Sequence, residues 1–181
     1  MTSAQAPGTA QPSGSPAPAT DQPSGSQEPA GTSAAPVSWK KDEADALQLA
    51  LRSENAAIWA YALVTANDKD DSDAIVGLRA GHLVRRDAAA ELLTRGGVAP
   101  AAPAPAYSTP GVTDLASARS LAIAIETDCA AAWRSVVANT DNTDLRMFAA
   151  TALSDSAVRL AQWKQRAKAS PFTVPFPGTQ S

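Results

Sequence analysis

Between Lys41 and Ser170, apolar residues recur every three or four positions through segments rich in Ala, Leu, Arg and Glu, which is the period of helices buried along one face rather than the alternation of strands. The first helix is predicted from about Lys41 to Ala66, with Leu47, Leu51, Glu54, Ile58, Tyr61 and Thr65 turned inward. The second is predicted to start after the acidic segment Asp68 to Asp73, whose carboxylates suit a helix N-terminus, and to stop at Gly96-Gly97. Ile75, Leu78, His82, Ala89 and Leu92 share one of its faces. The third takes Thr113 as its N-cap and runs to about Ala138, carrying Leu115, Ala122, Glu126, Cys129, Trp133 and Val136 inward. The fourth begins near Asn142 or Thr143 and ends before Pro171, with Leu145, Phe148, Ala152, Asp155, Arg159 and Gln162 as its stripe.

Four amphipathic helices of about 25 residues, each about 37 Å long, predict an all-α antiparallel four-helix bundle. The short connections near Asn67 to Ser72 and Asn139 to Thr143 suit antiparallel neighbours. The stretch from Gly97 to Thr113 is different, because its roughly 17 residues can reach about 56 Å, more than a helix length. It allows a long crossover between helices 2 and 3, which then run parallel, and that is the ferritin-like arrangement.

Composition sharpens the domain plan. Of fourteen prolines, seven lie at or before Pro36, four between Pro100 and Pro110, and three from Pro171 onward. Residues 1–36 are almost wholly Ala, Pro, Ser, Gly, Thr and Gln, too poor in large apolar side chains to offset the entropy of ordering, and are expected to be a disordered leader. Residues 37–170 form the bundle, and residues 171–181 an extended C-terminal strap whose Phe172 and Phe176 are expected to lie against the helices. The opening residues lack the basic and apolar regions of a secretory signal, so a cytoplasmic location is expected. No run approaches the roughly 18 apolar residues of a membrane span. A formal charge of -3 lacks the positive field of a general phosphate binder, which excludes nucleic acid as the expected partner. The single cysteine, Cys129, excludes an intramolecular disulfide framework and a thiolate zinc cluster.

The candidate chemistry is a polar layer. Glu54, His82, Glu126 and Asp155 each fall about ten to thirteen residues into their helices, so antiparallel packing of about 25-residue helices brings them to one level. Such groups are costly to desolvate unless cations, hydrogen bonds or a metal compensate them. Glu54, His82, Glu126 and Asp155 could ligate iron or manganese, since carboxylates and imidazole suit both. A di-metal site needs two Glu-x-x-His units, however, and the sequence offers only Glu126-Thr-Asp-Cys129, with a thiol in the place of imidazole. The expected compensation is instead an internal ion-pair network of Glu54, Glu126 and Asp155 with Arg79, Arg85, Arg86 and Arg159, because guanidinium binds carboxylate through paired hydrogen bonds and repels a divalent cation. No cofactor is expected on this reading, and no catalytic residue.

The remaining features have simpler explanations. The acidic run lacks the Gly and Glu of an EF-hand at the required positions and is expected to be a solvated cap. Cys129 is expected to fill a small core position. Trp59, Trp133 and Trp163 could form one aromatic cluster, with indole nitrogens seeking acceptors. Gly77 and Gly81 would admit another backbone, within the bundle or across a homodimer.

Ser53-Glu54-Asn-Ala-Ala-Ile-Trp-Ala-Tyr61, His82-Leu-Val-Arg85-Arg86-Asp87, Ile125-Glu126-Thr-Asp-Cys129-Ala-Ala-Ala-Trp133, Ser156-Ala-Val-Arg159-Leu-Ala-Gln-Trp163 and Pro175-Phe-Pro-Gly178 occur in that order. Together they resemble the actinobacterial ferritin-like domain family of unknown function, DUF4439, over roughly Lys41 to Gly178. The resemblance implies a ferritin-like bundle without an assigned activity. Ferritin-like proteins with intact sites oxidise ferrous iron, detoxify peroxide or activate oxygen, so an iron- or manganese-dependent oxidase is the alternative function. Only Glu54, His82 and Glu126 match the ligand positions.

Overall fold

Side chains that satisfy free backbone groups set most of the helix boundaries. In the computed structural model, which describes residues 38–179, Glu43 accepts from the Lys40 N–H at 2.8 Å and opens α1, Lys41–Asn67. Helix α2 spans Ser72–Arg95, and Gly96 closes it. Asp114 accepts from the Ser117 N–H at 2.8 Å at the start of α3, Leu115–Asn139. Asn142 does the same for the Leu145 N–H at 2.9 Å, opening α4, Thr143–Arg166. The cap of α3 is thus Asp114 rather than Thr113, because its carboxylate reaches the third N–H of the helix. Among the described residues there is no strand, and no helix is long and apolar enough to cross a membrane. The leader expected over residues 1–36 lies outside the described residues.

Cross-helix contacts give the topology. Trp39 and Leu92, Glu54 and His82, and Ile58 and Arg79 pair α1 with α2 in opposite directions. Glu43 with Thr140, Tyr61 with Glu126, and Asp68 with Arg119 do so for α1 and α3. Trp133 against Phe148 and Arg119 against the Arg166 carbonyl set α4 antiparallel to α3. It follows that α2 and α3 are parallel, and the long connection must return along the bundle. It does so beside α1, with the Ala101 N–H donating to Gln48 at 2.9 Å and Tyr107 meeting Trp59 at 5.9 Å.

Two apolar clusters fill the interior on either side of the mid-helix level. One gathers Leu47, Leu51, Leu93, Trp133, Val136 and Leu145; the other gathers Tyr61, Val64, Ile75, Leu121, Ile125 and Trp163. Each fully buried Leu, Ile or Val contributes about 1.5–3 kcal/mol. The three expected tryptophans are therefore not one cluster. Trp133 packs edge-on against Phe148, Trp163 lies near Tyr61, and Trp59 contacts Tyr107.

Several sequence expectations shift by a fraction of a turn. Leu115 is exposed, as is natural at the first residue of a helix. The inward stripe of α4 is Leu145, Ala149, Ala152, Ser156, Leu160 and Trp163, so Asp155 faces outward. Asp68 is fully buried rather than solvated, paired with Arg119 Nε at 3.1 Å. Gly77 has open space around it, and Gly81 makes room for the guanidinium of Arg159 rather than for a backbone. Phe172 and Phe176 are exposed, and it is Gly178 that approaches α3, where a Cβ would stand 2.6 Å from the Ala130 carbonyl oxygen.

Candidate functional site

Glu54 of α1, His82 of α2 and Glu126 of α3 converge between the two apolar clusters, and all three are completely buried. His82 bridges the carboxylates: Nδ1 is 2.7 Å from Glu54 Oε2, and Nε2 is 3.2 Å from Glu126 Oε1. Arg85, one turn beyond His82 on the same face, donates from Nε to Glu54 Oε1 at 2.9 Å. Its Nη2 lies 2.9 Å from His82 Nδ1. From α4, Arg159 Nη1 approaches His82 Nε2 at 3.3 Å. Each ring nitrogen therefore faces one carboxylate and one guanidinium.

Aromatic donors complete the layer. Trp133 Nε1 donates to Glu54 Oε1 at 2.6 Å, Tyr61 O–H donates to Glu126 Oε1 at 2.6 Å, and Trp163 Nε1 donates to the Tyr61 oxygen at 2.9 Å. Glu126 Oε2 has no hydrogen-bond partner among the described residues. Of four carboxylate oxygens, three are engaged. Cys129 lies beside the layer with Ser53 Oγ 3.4 Å from its sulfur.

The electrostatics follow from these distances. Burial alone would raise the Glu54 pKa, but the His82 hydrogen bond, the charges of His82 and Arg85, and the Trp133 donor hold it below the ordinary value. Burial alone would lower that of His82, yet hydrogen bonds and charge from Glu126 and Glu54 raise it above the usual imidazole value. The same competition leaves Arg85 raised, with burial outweighed by the charge of Glu54. Burial pushes the Cys129 thiol well up. The carboxylates of Glu54 and Glu126 face His82, Arg85 and Arg159, and this pairing of opposite charge offsets a desolvation cost of several kcal/mol per ion.

The predicted members separate into three groups. Glu54, His82, Glu126 and Arg85 come together, with Arg159 at their edge. Asp155 stays at the rim, its side chain 53% exposed and its Oδ2 3.6 Å from Arg85 Nη1, because α4 turns Ser156 inward instead. Arg79 and Arg86 are absent from the layer: Arg79 donates to the Ile58 carbonyl at 2.9 Å, and Arg86 pairs with its neighbour Asp87 at 2.7 Å. The roles of Tyr61, Trp133 and Trp163 in holding the layer were not read from the sequence. Their spacing carried a signal, since Tyr61 stands seven residues after Glu54 and Trp133 seven after Glu126, two turns along the same face.

These residues do not fit a di-metal carboxylate centre. Such a centre needs imidazole lone pairs and free carboxylate oxygens, whereas here guanidinium groups stand against both nitrogens of His82 and only one carboxylate oxygen is unengaged. Apart from this layer, a groove of about 600 Å³ runs between α1 and α3 beneath Tyr107 to Pro110, floored by Ala57, Ala60 and Ile125 and bordered by Ser53.

Fold and layer together define the class: an all-α four-helix bundle carrying an interior network of ion pairs. The chain belongs to the family described as Domain of unknown function (DUF4439), whose model matches residues 46–181. It is similar to the crystal structure of a conserved hypothetical protein, rv2844, from Mycobacterium tuberculosis, with 36% sequence identity, a TM-score of 0.68, and coverage of 75% of this chain and 97% of that one. No curated protein matches this chain.

Proposed function

We propose that the protein is a ferritin-like bundle that serves as a non-catalytic interaction or scaffold module with at most weak metal binding. The observation that carries this reading is the seating of Arg85 and Arg159 against the two nitrogens of His82, where tethered cations take the place that a metal takes in a carboxylate centre. The parallel placement of α2 and α3 supports the ferritin-like label. The alternative of an iron- or manganese-dependent oxidase draws on the convergence of Glu54, His82 and Glu126 alone. Metal content decides between them. The chain purified without chelator is expected to carry less than one equivalent of iron or manganese and to oxidise ferrous iron no faster than buffer. Two equivalents per chain, lost together on Glu54→Ala and Glu126→Ala, would overturn the reading.

A further inference from the structure

The layer contains a donor set that the carboxylate comparison leaves aside. Glu54, His82 and Cys129 each present one ligand atom, these atoms all lie within 4.8 Å of one another, and all three residues are fully buried. One carboxylate oxygen, one imidazole nitrogen and one thiolate are the mixed set preferred by a borderline ion such as zinc or cobalt(II), not by the harder iron or manganese of a carboxylate centre. A tetrahedral ion at about 2.0–2.3 Å from each donor holds the donors about 3.3–3.8 Å apart, so the site forms when Glu54 Oε2 and His82 Nδ1, now 2.7 Å apart, open to admit the ion and the thiol draws in by about 1 Å or less.

Arg85 stands in the way. Its Nε and Nη2 already contact Glu54 and His82, two of the three donors. Its remaining nitrogen, Nη1, is buried without a hydrogen bond, yet lies 3.6 Å from Asp155 Oδ2 at the rim. The guanidinium thus has a carboxylate partner toward solvent that it can take without leaving its helix. On the other side, Ser53 touches the Cys129 sulfur at 3.4 Å and also borders the groove between α1 and α3, which is the approach to the thiol nearest that groove's lining.

We infer that Glu54, His82 and Cys129 form a binding site for one borderline divalent cation, zinc or cobalt(II), and that the guanidinium of Arg85 competes with the cation for it. This rests on the ion-pair reading above, since the competitor is the layer's own arginine. Cys129 binds as the thiolate and His82 through a ring lone pair, so the proton displaced from each donor atom passes to solvent, and Arg85 transfers its pairing from Glu54 to Asp155.

Cobalt(II) is the probe, because its bond to a thiolate produces a charge-transfer band in the near ultraviolet. Arg85→Met keeps the buried stem and removes the charge, and it is expected to bind one equivalent of cobalt(II) at least about tenfold more tightly than the wild type. The band should vanish in the Arg85→Met, Cys129→Ser double variant. A helical Arg85→Met chain that gives no thiolate band, or a band that survives Cys129→Ser, overturns the inference. If Arg85→Met does not fold, the wild-type chain titrated to about 5 mM cobalt(II) decides, because competition requires the same band at high metal and its absence sinks the idea. Failure of the ion-pair reading looks different: the wild type would then carry two iron or manganese equivalents as purified.

Discussion

Trp133 Nε1 and Glu54 Oε1 are joined across α3 and α1 by a buried hydrogen bond of 2.6 Å, and the same oxygen accepts from Arg85. The indole is thus a structural donor to a buried carboxylate as well as core filling. Trp133→Phe deletes that donor and trims a fully buried ring that packs edge-on against Phe148. A hydrogen bond to a charged group contributes about 1.5–3 kcal/mol, so a loss of at least that size is expected in urea denaturation. An unchanged midpoint would show that the bond carries no stability.

Glu126→Ala removes the partner of both Tyr61 O–H and His82 Nε2. Breaking a buried ion pair from one side costs about 3–5 kcal/mol, because the surviving charge is left uncompensated. The same loss is expected with and without chelator. A loss that chelator abolishes would mean that metal, not His82, is what Glu126 stabilises.

Gly81→Ala and Gly178→Ala should differ in outcome. At Gly81 a Cβ meets Arg159 Nη2 at 2.5 Å, the far end of a flexible side chain that can swing aside, and alanine gains about 1 kcal/mol of helix propensity. Stability within about 1 kcal/mol of wild type is expected, measured by thermal unfolding. At Gly178 the Cβ meets the Ala130 carbonyl oxygen at 2.6 Å, and the residue has a φ of +80°, which alanine adopts only with strain. That variant should free the C-terminal segment from α3, seen as faster amide exchange and proteolysis there while the helices stay protected.

Acid stability should depend on Glu43. Burial alone would raise its pKa, but the N–H of Lys40, the hydroxyl of Thr140 and the N–H of Asp141 hold it below the ordinary value of 4.5. A carboxyl lowered on folding contributes stability that is fully present above its unfolded pKa and is lost as pH falls through the folded one. Glu43→Gln is therefore expected to be less stable at neutral pH and to show a flatter decline below about pH 4.5. Parallel decline in both proteins would assign the acid limb to other carboxyls.

Helices and crossover were legible because their signals are local and redundant: Gly96 after α2, Asn142 before α4, and prolines confined to connections. The layer was partly legible. Glu54, His82 and Glu126 sit among apolar neighbours at regular spacing, so their direction was fixed. In α4 two stripes compete at equal period, both passing through Leu145 and Ala152. The segment Ser154-Asp155-Ser156 is polar throughout, and the contrast that separates the stripes lies one turn on, where Leu160 and Trp163 stand beside Arg159 and Gln162. Burial of the small neutral Ser156 costs less than burial of a carboxylate, and this moved Asp155 to the rim. The choice among four arginines was only partly local. Arg85 reaches the layer because it lies one turn from His82, and Arg159 because Gly81 on another helix leaves it space.

The imidazole of His82 ties α2 to α1 and α3 at once, through two contacts of 2.7 and 3.2 Å. A packing of alanine and leucine alone tolerates neighbouring helices sliding by one turn, about 5.4 Å, since similar side chains replace one another at every step. Here such a slip would carry the ring clear of both acceptors at the same moment. The only histidine in the protein thereby links the vertical alignment of three helices, in the same register that Tyr61 with Glu126 and Arg85 with Glu54 hold.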